Sequence, residues 1–228
     1  MYWTEESKNK QEFVISDDIV DVVFSIQGKA IPLDNAYALS NAIEEALPWV
    51  AEDEHIGIHH ISGAESGNGW LRPENTENEI LYLSRRQKLT IRIAKERLDD
   101  IQALTGQTLR VDEHELIVGK STVRKLSDMN IVFARNVIVS DSGMTEDDFM
   151  KCCVAQLNEL GINVKKMMCG RERTIQLPDK QLITRGLMIA DLGKPESVKV
   201  QERGLGVGRK LGCGLFLPQK GIDPVNPD

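Results

Sequence analysis

"NIVFARNVIVS" (residues 130–140) followed by "TEDDFMKCCVAQLNELG" (residues 145–161) decides the reading of the fold. The first stretch is apolar, β-branched and of strand length. The second opens on a hydroxyl, carries acidic residues in its first turn and stops at a glycine. These are the signals of a helix capped by Thr145, charged favourably at the positive end of its dipole, and ended at Gly161. Downstream, "NVKKMMCGRERTIQL" and "LITRGLMIADL" read as two strands, "KPESVKVQERG" as a short helix, and "CGLFLP" as a last strand. The order is β-α-β-β-α-β.

The same order is present upstream. "IVDVVFSIQGKAI" (residues 19–31) is strand material. In "PLDNAYALSNAIEEALPWV", Tyr37, Leu39, Ile43, Ala46 and Leu47 recur at near-helical spacing, with Asp34 as a cap and Pro48 as the end. "IGIHHIS" (residues 56–62) is a second strand, and "GAESGNGWLRPENTENE" a polar, glycine-rich loop. "ILYLS" and "KLTIRI" supply further strands. "AKERLDDIQALTG" is a helix with Ala94, Leu98, Ile101 and Leu104 on one side and a stop at Gly106. "QTLRVDEHELIVG" is a hairpin. The expected fold is α+β, two ferredoxin-like (RRM-like, βαββαβ) domains in tandem over residues 1–126 and 127–228.

The 228 residues suffice for one large domain or two small ones. Charged and apolar fractions are those of a globular chain. No stretch approaches the ~20 apolar residues of a membrane span, and "MYWTEESKNK" lacks the apolar run of a signal peptide. The expected location is the cytoplasm. Cys152, Cys153, Cys169 and Cys213 lack the spacing of a zinc site and read as reduced, mostly buried thiols. Neither a metal nor a cofactor is expected.

The net charge of −7 hides an asymmetry. Residues 151–220 carry 13 Lys+Arg against 6 Asp+Glu, a net +7; the remainder carries 15 against 29, a net −14. An acidic body with a basic C-terminal third is suited to a polyanion. "GLGVGRKLGCGLFLPQKG" (residues 204–221) lies in that third, with six glycines and three cations. It is not a P-loop, because Leu211 stands where a Ser or Thr would hold Mg²⁺. Its Gly204, Gly206, Gly208, Gly212 and Gly214 also miss the spacing and position of a dinucleotide fingerprint. Two readings stay open: a backbone that approaches a phosphodiester chain beside Arg203, Arg209, Lys210 and Lys220, or a glycine-rich turn packed between two domains.

"GLGVGRKLGCGLFLP" resembles the C-terminal glycine-rich signature of the RAMP superfamily, and most of all the CRISPR repeat-RNA endoribonucleases that form the sixth Cas family. "ESGNGW" with "LYLSRR", and "KMMCGRE", are similar to the Myxan-type branch of that family. The likeness runs from "DNAYALSNAIEEALPW" to "PQKG". It implies two ferredoxin-like domains and cleavage of precursor CRISPR RNA within the repeat, without metal, to 5′-hydroxyl and 2′,3′-cyclic phosphate ends. It also implies that the protein stays on the 3′ handle of its product and joins other Cas proteins in an interference complex.

Such chemistry needs a base for the 2′-hydroxyl, an acid for the leaving oxygen and a cation for the phosphorane. Histidine suits proton transfer near neutrality. The chain has His55, His59, His60 and His114. The resemblance places the catalytic histidine after the first helix, where His59 and His60 lie. In a strand, His60 shares a face with Ile56 and Ile58, and His59 takes the opposite face with Gly57 and Ile61. If the isoleucines face the core, His59 faces the groove, so alternation favours His59 and keeps His60 as the second candidate. His55 reads as a loop residue and His114 as an exposed turn. Tyr37, Ser62, Ser66 and Arg72 are near in sequence without an assigned role.

Three clusters are candidate RNA contacts: Arg85, Arg86, Lys88 and Arg92; Lys165, Lys166, Arg171 and Arg173; and Gly204, Gly206, Gly208, Arg209, Lys210 and Gly212 of the glycine loop. Only 5% of residues are aromatic, so backbone and stem recognition by cations fits better than base stacking on an open sheet. The competing readings are a non-catalytic RNA-holding subunit of an interference complex and a small-molecule-binding regulator. The last leaves the glycine loop and the charge asymmetry without a use.

Overall fold

The computed structural model describes residues 13–63, 79–140 and 144–220. The chain opens with β1 (Ile19–Gln27), β2 (Ala30–Pro32), α1 (Ala36–Ala46), α2 (Trp49–Glu52) and β3 (Gly57–Ile58). It continues through β4 (Ile80–Tyr82), β5 (Lys88–Ala94), α3 (Leu98–Ile101), β6 (Thr108–Val111) and β7 (His114–Lys125). The second half holds β8 (Val132–Val137), α4 (Glu146–Glu159), β9 (Lys166–Gln176), β10 (Gln181–Ala190), α5 (Lys194–Arg203) and β11 (Leu217–Pro218).

A five-stranded sheet has the order β3-β5-β1-β7-β6, a four-stranded one β11-β8-β10-β9, and β2 pairs with β4 in a two-stranded one, with antiparallel pairing throughout. Without the added edge strand β6, each of the two larger sheets has its four strands in the spatial order fourth, first, third, second. Each half is therefore a βαββαβ unit, and the fold is the expected tandem ferredoxin-like one. α4 forms as its local signals dictate: the Thr145 hydroxyl accepts from the Asp148 amide at 3.2 Å, and Gly161 follows with positive φ.

Four local expectations need correction. The run 19–31 is two strands, because β2 leaves the large sheet after Gly28 and pairs with β4. A Cβ on Gly28 would lie 2.8 Å from the Glu115 carbonyl oxygen, so only glycine fits where the chain turns away. Asp34 does not cap α1; the N-cap is Asn35, and the Asp34 carboxylate accepts from the Gln176 amide at 2.8 Å. The stretch 94–106 is α3 between two 3-10 turns, with Ala94 belonging to β5, although Ile101 and Leu104 are buried as expected. Finally, "IGIHHIS" holds only the two-residue β3.

The loop after it, with Ser66 and Arg72, lies outside the described residues except at Gly63 and Glu79. Each half has its own apolar core. A small third cluster of Ala36, Ile138, Ile175 and Cys213 joins the two. Cys153 and Cys213 are buried, and burial pushes both thiols up to about 12. Among the described residues, no helix is long and apolar enough to cross a membrane.

Candidate functional site

Strand alternation places Gly57, Arg92 and Asp21 side by side on the helix-free face of the first sheet, in the register Gly57–Arg92 and Arg92–Asp21. That face is not an open groove at this point. Arg92 is 1% exposed and donates to both Asp21 carboxylate oxygens, at 2.7 and 2.9 Å. Its remaining donors reach across to the second half, to the carbonyls of Gln201 at 2.8 Å and Phe216 at 3.0 Å. A Cβ on Gly57 would lie 2.6 Å from Leu215. The second half is docked here through one guanidinium and one missing side chain.

His59 points into this seam, as alternation requires, and is walled in by it. Its side chain is 11% exposed, with Nε2 3.7 Å from Asp21 Oδ1, too long for a good hydrogen bond. Burial pushes its imidazole below the usual range; Asp21 opposes this, and the charges of Arg92 and Arg209 reinforce it. His59 is therefore a group held inside a seam whose burial favours its neutral form. For Asp21, burial opposes ionisation, yet His59 and Arg92 outweigh it and hold the carboxyl well below the usual carboxylate range.

His60 is half-buried. Its Nδ1 stands 3.2 Å from the Ile61 carbonyl oxygen. A carbonyl only accepts, so in a ring hydrogen-bonded to it Nδ1 is the donor. Ile61 does not share a face with His59 as alternation over 56–62 suggested. The ladder ends at Ile58, apart from one bond from the His59 amide to Thr90, and Ile61 enters the first core.

The glycine loop and the histidine pair, some 150 residues apart in sequence, meet. Gly212 has φ +76°, and a Cβ there would be 3.1 Å from the His60 amide nitrogen and 3.2 Å from the Ile58 carbonyl. The loop's cations hold this docking. Arg209 donates to the carbonyls of His55 (3.0 Å), Arg203 (2.8 Å) and Glu202 (3.2 Å), and Lys210 to that of Ala51 at 2.6 Å. Burial, with the Arg92 charge, pushes the Arg209 guanidinium down to about 10. Gly204, Gly206 and Gly208 also have positive φ, and a Cβ on Gly206 would run into the Ile138 carbonyl. Of the two readings open for this loop, the packed turn accounts for these glycines and for Arg209 and Lys210, while Lys220 is exposed.

A family model described as Cas6 Crispr matches residues 20–221. The chain belongs to the Cas6 family. A CRISPR-associated endonuclease Cas6 of Myxococcus xanthus (strain DK1622) is 30% identical over 199 residues, 87% of this chain and 81% of that protein. Solved structures share the fold of this Cas6 family member at low identity. A CRISPR associated protein Cas6 has a TM-score of 0.61 at 14% identity, over 89% of this chain and 100% of that one. Thermus thermophilus Cse3 bound to an RNA has a TM-score of 0.53 at 12% identity, over 87% and 98%.

The other basic clusters of this Cas6 chain are distributed differently. Arg85, Arg86 and Lys88 are exposed, whereas Arg92 of the same cluster is the buried seam residue. Lys165, Lys166 and Arg171 are exposed, with Lys166 paired to Asp191 at 2.9 Å. Arg173 is half-buried and donates to the Arg135 carbonyl at 3.1 Å. His55 is exposed, as a loop residue should be. His114 is not an exposed turn: it is half-buried at the start of β7. With Tyr37, Asp34, Glu79 and Asp112 it lines a cavity of about 510 Å³, whose carboxylates repel a phosphodiester. Sequence reasoning missed Asp21 and Asn35. The signal for Asp21 was a single carboxylate inside the apolar run "IVDVVF".

Proposed function

We propose that this Cas6 family member is an endoribonuclease that binds precursor CRISPR RNA in the cytoplasm and cleaves it within the repeat without a metal ion. A ribose 2′-hydroxyl attacks the adjacent phosphorus. The O2′–P bond forms, the P–O5′ bond breaks, and the products end in a 2′,3′-cyclic phosphate and a 5′-hydroxyl. His60 takes the 2′-hydroxyl proton as general base, and the leaving oxygen acquires a proton from water. The boundary between the two domains falls between residues 126 and 127. The product stays bound by its 3′ handle, and the complex joins other Cas proteins.

The observation that carries this reading is the packing of Gly212 against His60 at the meeting line of the two halves. There the imidazole is half-buried, and its contact with the Ile61 carbonyl favours the tautomer a base needs. His59 is assigned to the seam, because its buried ring has no room beside it for a ribose. The exposed Arg85, Arg86, Lys165, Lys166 and Arg171 hold the RNA backbone, and the glycine loop fixes the two halves. That the Myxococcus xanthus relative is named an endonuclease supports the same reading.

The test is incubation of the protein with end-labelled repeat RNA in EDTA, with the new 3′ ends probed for a cyclic phosphate. Cleavage to that end is the expected outcome. Tight binding without cleavage would favour an RNA-holding subunit, and no binding would exclude RNA as the ligand.

A further inference from the structure

We infer that Asn35 is a positioning residue for His60, acting through the backbone of Ile61. The inference rests on the proposal that His60 is the base. Asn35 is fully buried at the start of α1, yet its side chain makes no capping bond to that helix. Its amide is spent on the segment that carries the histidines. Nδ2 donates to the Ile61 carbonyl at 2.9 Å and to the Pro32 carbonyl at 3.1 Å, while Oδ1 accepts from the Ile61 amide at 3.3 Å.

The side chain thus does for Ile61 what a neighbouring strand would do, satisfying its N–H and its C=O together. It does so where the ladder has ended: β3 stops at Ile58, and the last bond to β5 leaves from His59. The carbonyl that Asn35 holds is the one that the His60 Nδ1 faces at 3.2 Å. Through that contact the position of the carbonyl bears on the direction of the ring. A donor and an acceptor in one short, neutral side chain are needed, and asparagine supplies both.

The experiment compares wild type, Asn35→Leu, Asn35→Asp and His60→Ala in single-turnover cleavage of repeat RNA. Binding is measured separately on an RNA with a 2′-deoxy residue at the cut, and folding by circular dichroism. In Asn35→Leu, which loses donor and acceptor, the expected result is a cleavage rate lower by up to about 10²-fold with unchanged RNA affinity. Asn35→Asp keeps the acceptor and donates to Ile61 only while its carboxyl is protonated. Its rate profile should gain a limb that falls as pH rises, absent from wild type. A purely structural asparagine would not produce that limb. A folded Asn35→Leu that cleaves within twofold of wild type overturns the inference. If Asn35→Leu does not fold, an Asn35→Asp profile with the wild-type shape overturns it instead. Cleavage by His60→Ala at the wild-type rate removes the base assignment, so the two failures are distinguishable.

Discussion

Replacing Arg92 by methionine tests the seam. The substitution keeps flexible apolar bulk and removes the charge. Arg92 is 1% exposed, pairs with both oxygens of Asp21 at 2.7 and 2.9 Å, and bonds two carbonyls of the second half. Removing one partner of a buried pair costs about 3–5 kcal/mol, because the other charge is left uncompensated. For a chain of this size that lowers the thermal midpoint by roughly 6–20 °C. The assay is thermal unfolding followed by circular dichroism, with Asp21→Leu/Arg92→Met as the control. Removing both charges leaves no uncompensated buried charge, so the double variant should recover the part of the loss due to Asp21, while the Gln201 and Phe216 carbonyls still lack their donor. A midpoint within about 2 °C of wild type for Arg92→Met would refute the reasoning, since it would mean that water screens the pair. Losses that simply add in the double variant would refute it equally.

Three other outcomes follow from the same geometry. His59 has a folded-state pKa below its unfolded value, so the unfolded chain takes up the proton first. The stability it contributes is present above about pH 6.5 and is lost as pH falls; His59→Gln should flatten the dependence of the thermal midpoint between pH 7 and 5, while the loss tied to Asp21 begins as pH falls into the ordinary carboxylate range and continues below it. Gly206→Ala forces a side chain onto φ +69° and into the Ile138 carbonyl, so chemical denaturation should show a loss above about 1–2 kcal/mol. Lys165→Ala/Arg171→Ala should weaken binding to all repeat RNAs alike and reduce the slope of log affinity against log salt by about 1 per contact, measured by filter binding.

What could be read in the sequence was what local chemistry decides. The Thr145 cap and the Gly161 stop lie within the helix they bound, so "TEDDFMKCCVAQLNELG" announced α4 by itself. The apolar strands announced two βαββαβ units for the same reason. The site was legible only in part. Alternation gave the correct face for His59, but not that the second half fills it; Asp21 and Arg92 meet across 71 positions, and Arg92 and Phe216 across 124. Each was visible only as a lone charge in an apolar run. The positive φ of the glycine loop was written in its glycines, whereas their neighbours, Ile138 and the His60 amide, are set by tertiary packing. For Arg209 and Lys210 the residue type suggested phosphate, and the fold gives their donors to carbonyls. Asn35 stands unmarked in the sequence beside Asp34, and its side chain acts on a residue 26 positions away.

The most direct test of the central claim is single-turnover cleavage of repeat RNA in EDTA by His60→Ala. Loss of a general base predicts a rate lower by about 10²–10⁴-fold, with affinity for a 2′-deoxy RNA unchanged. Cleavage by His60→Ala at the wild-type rate would contradict the account.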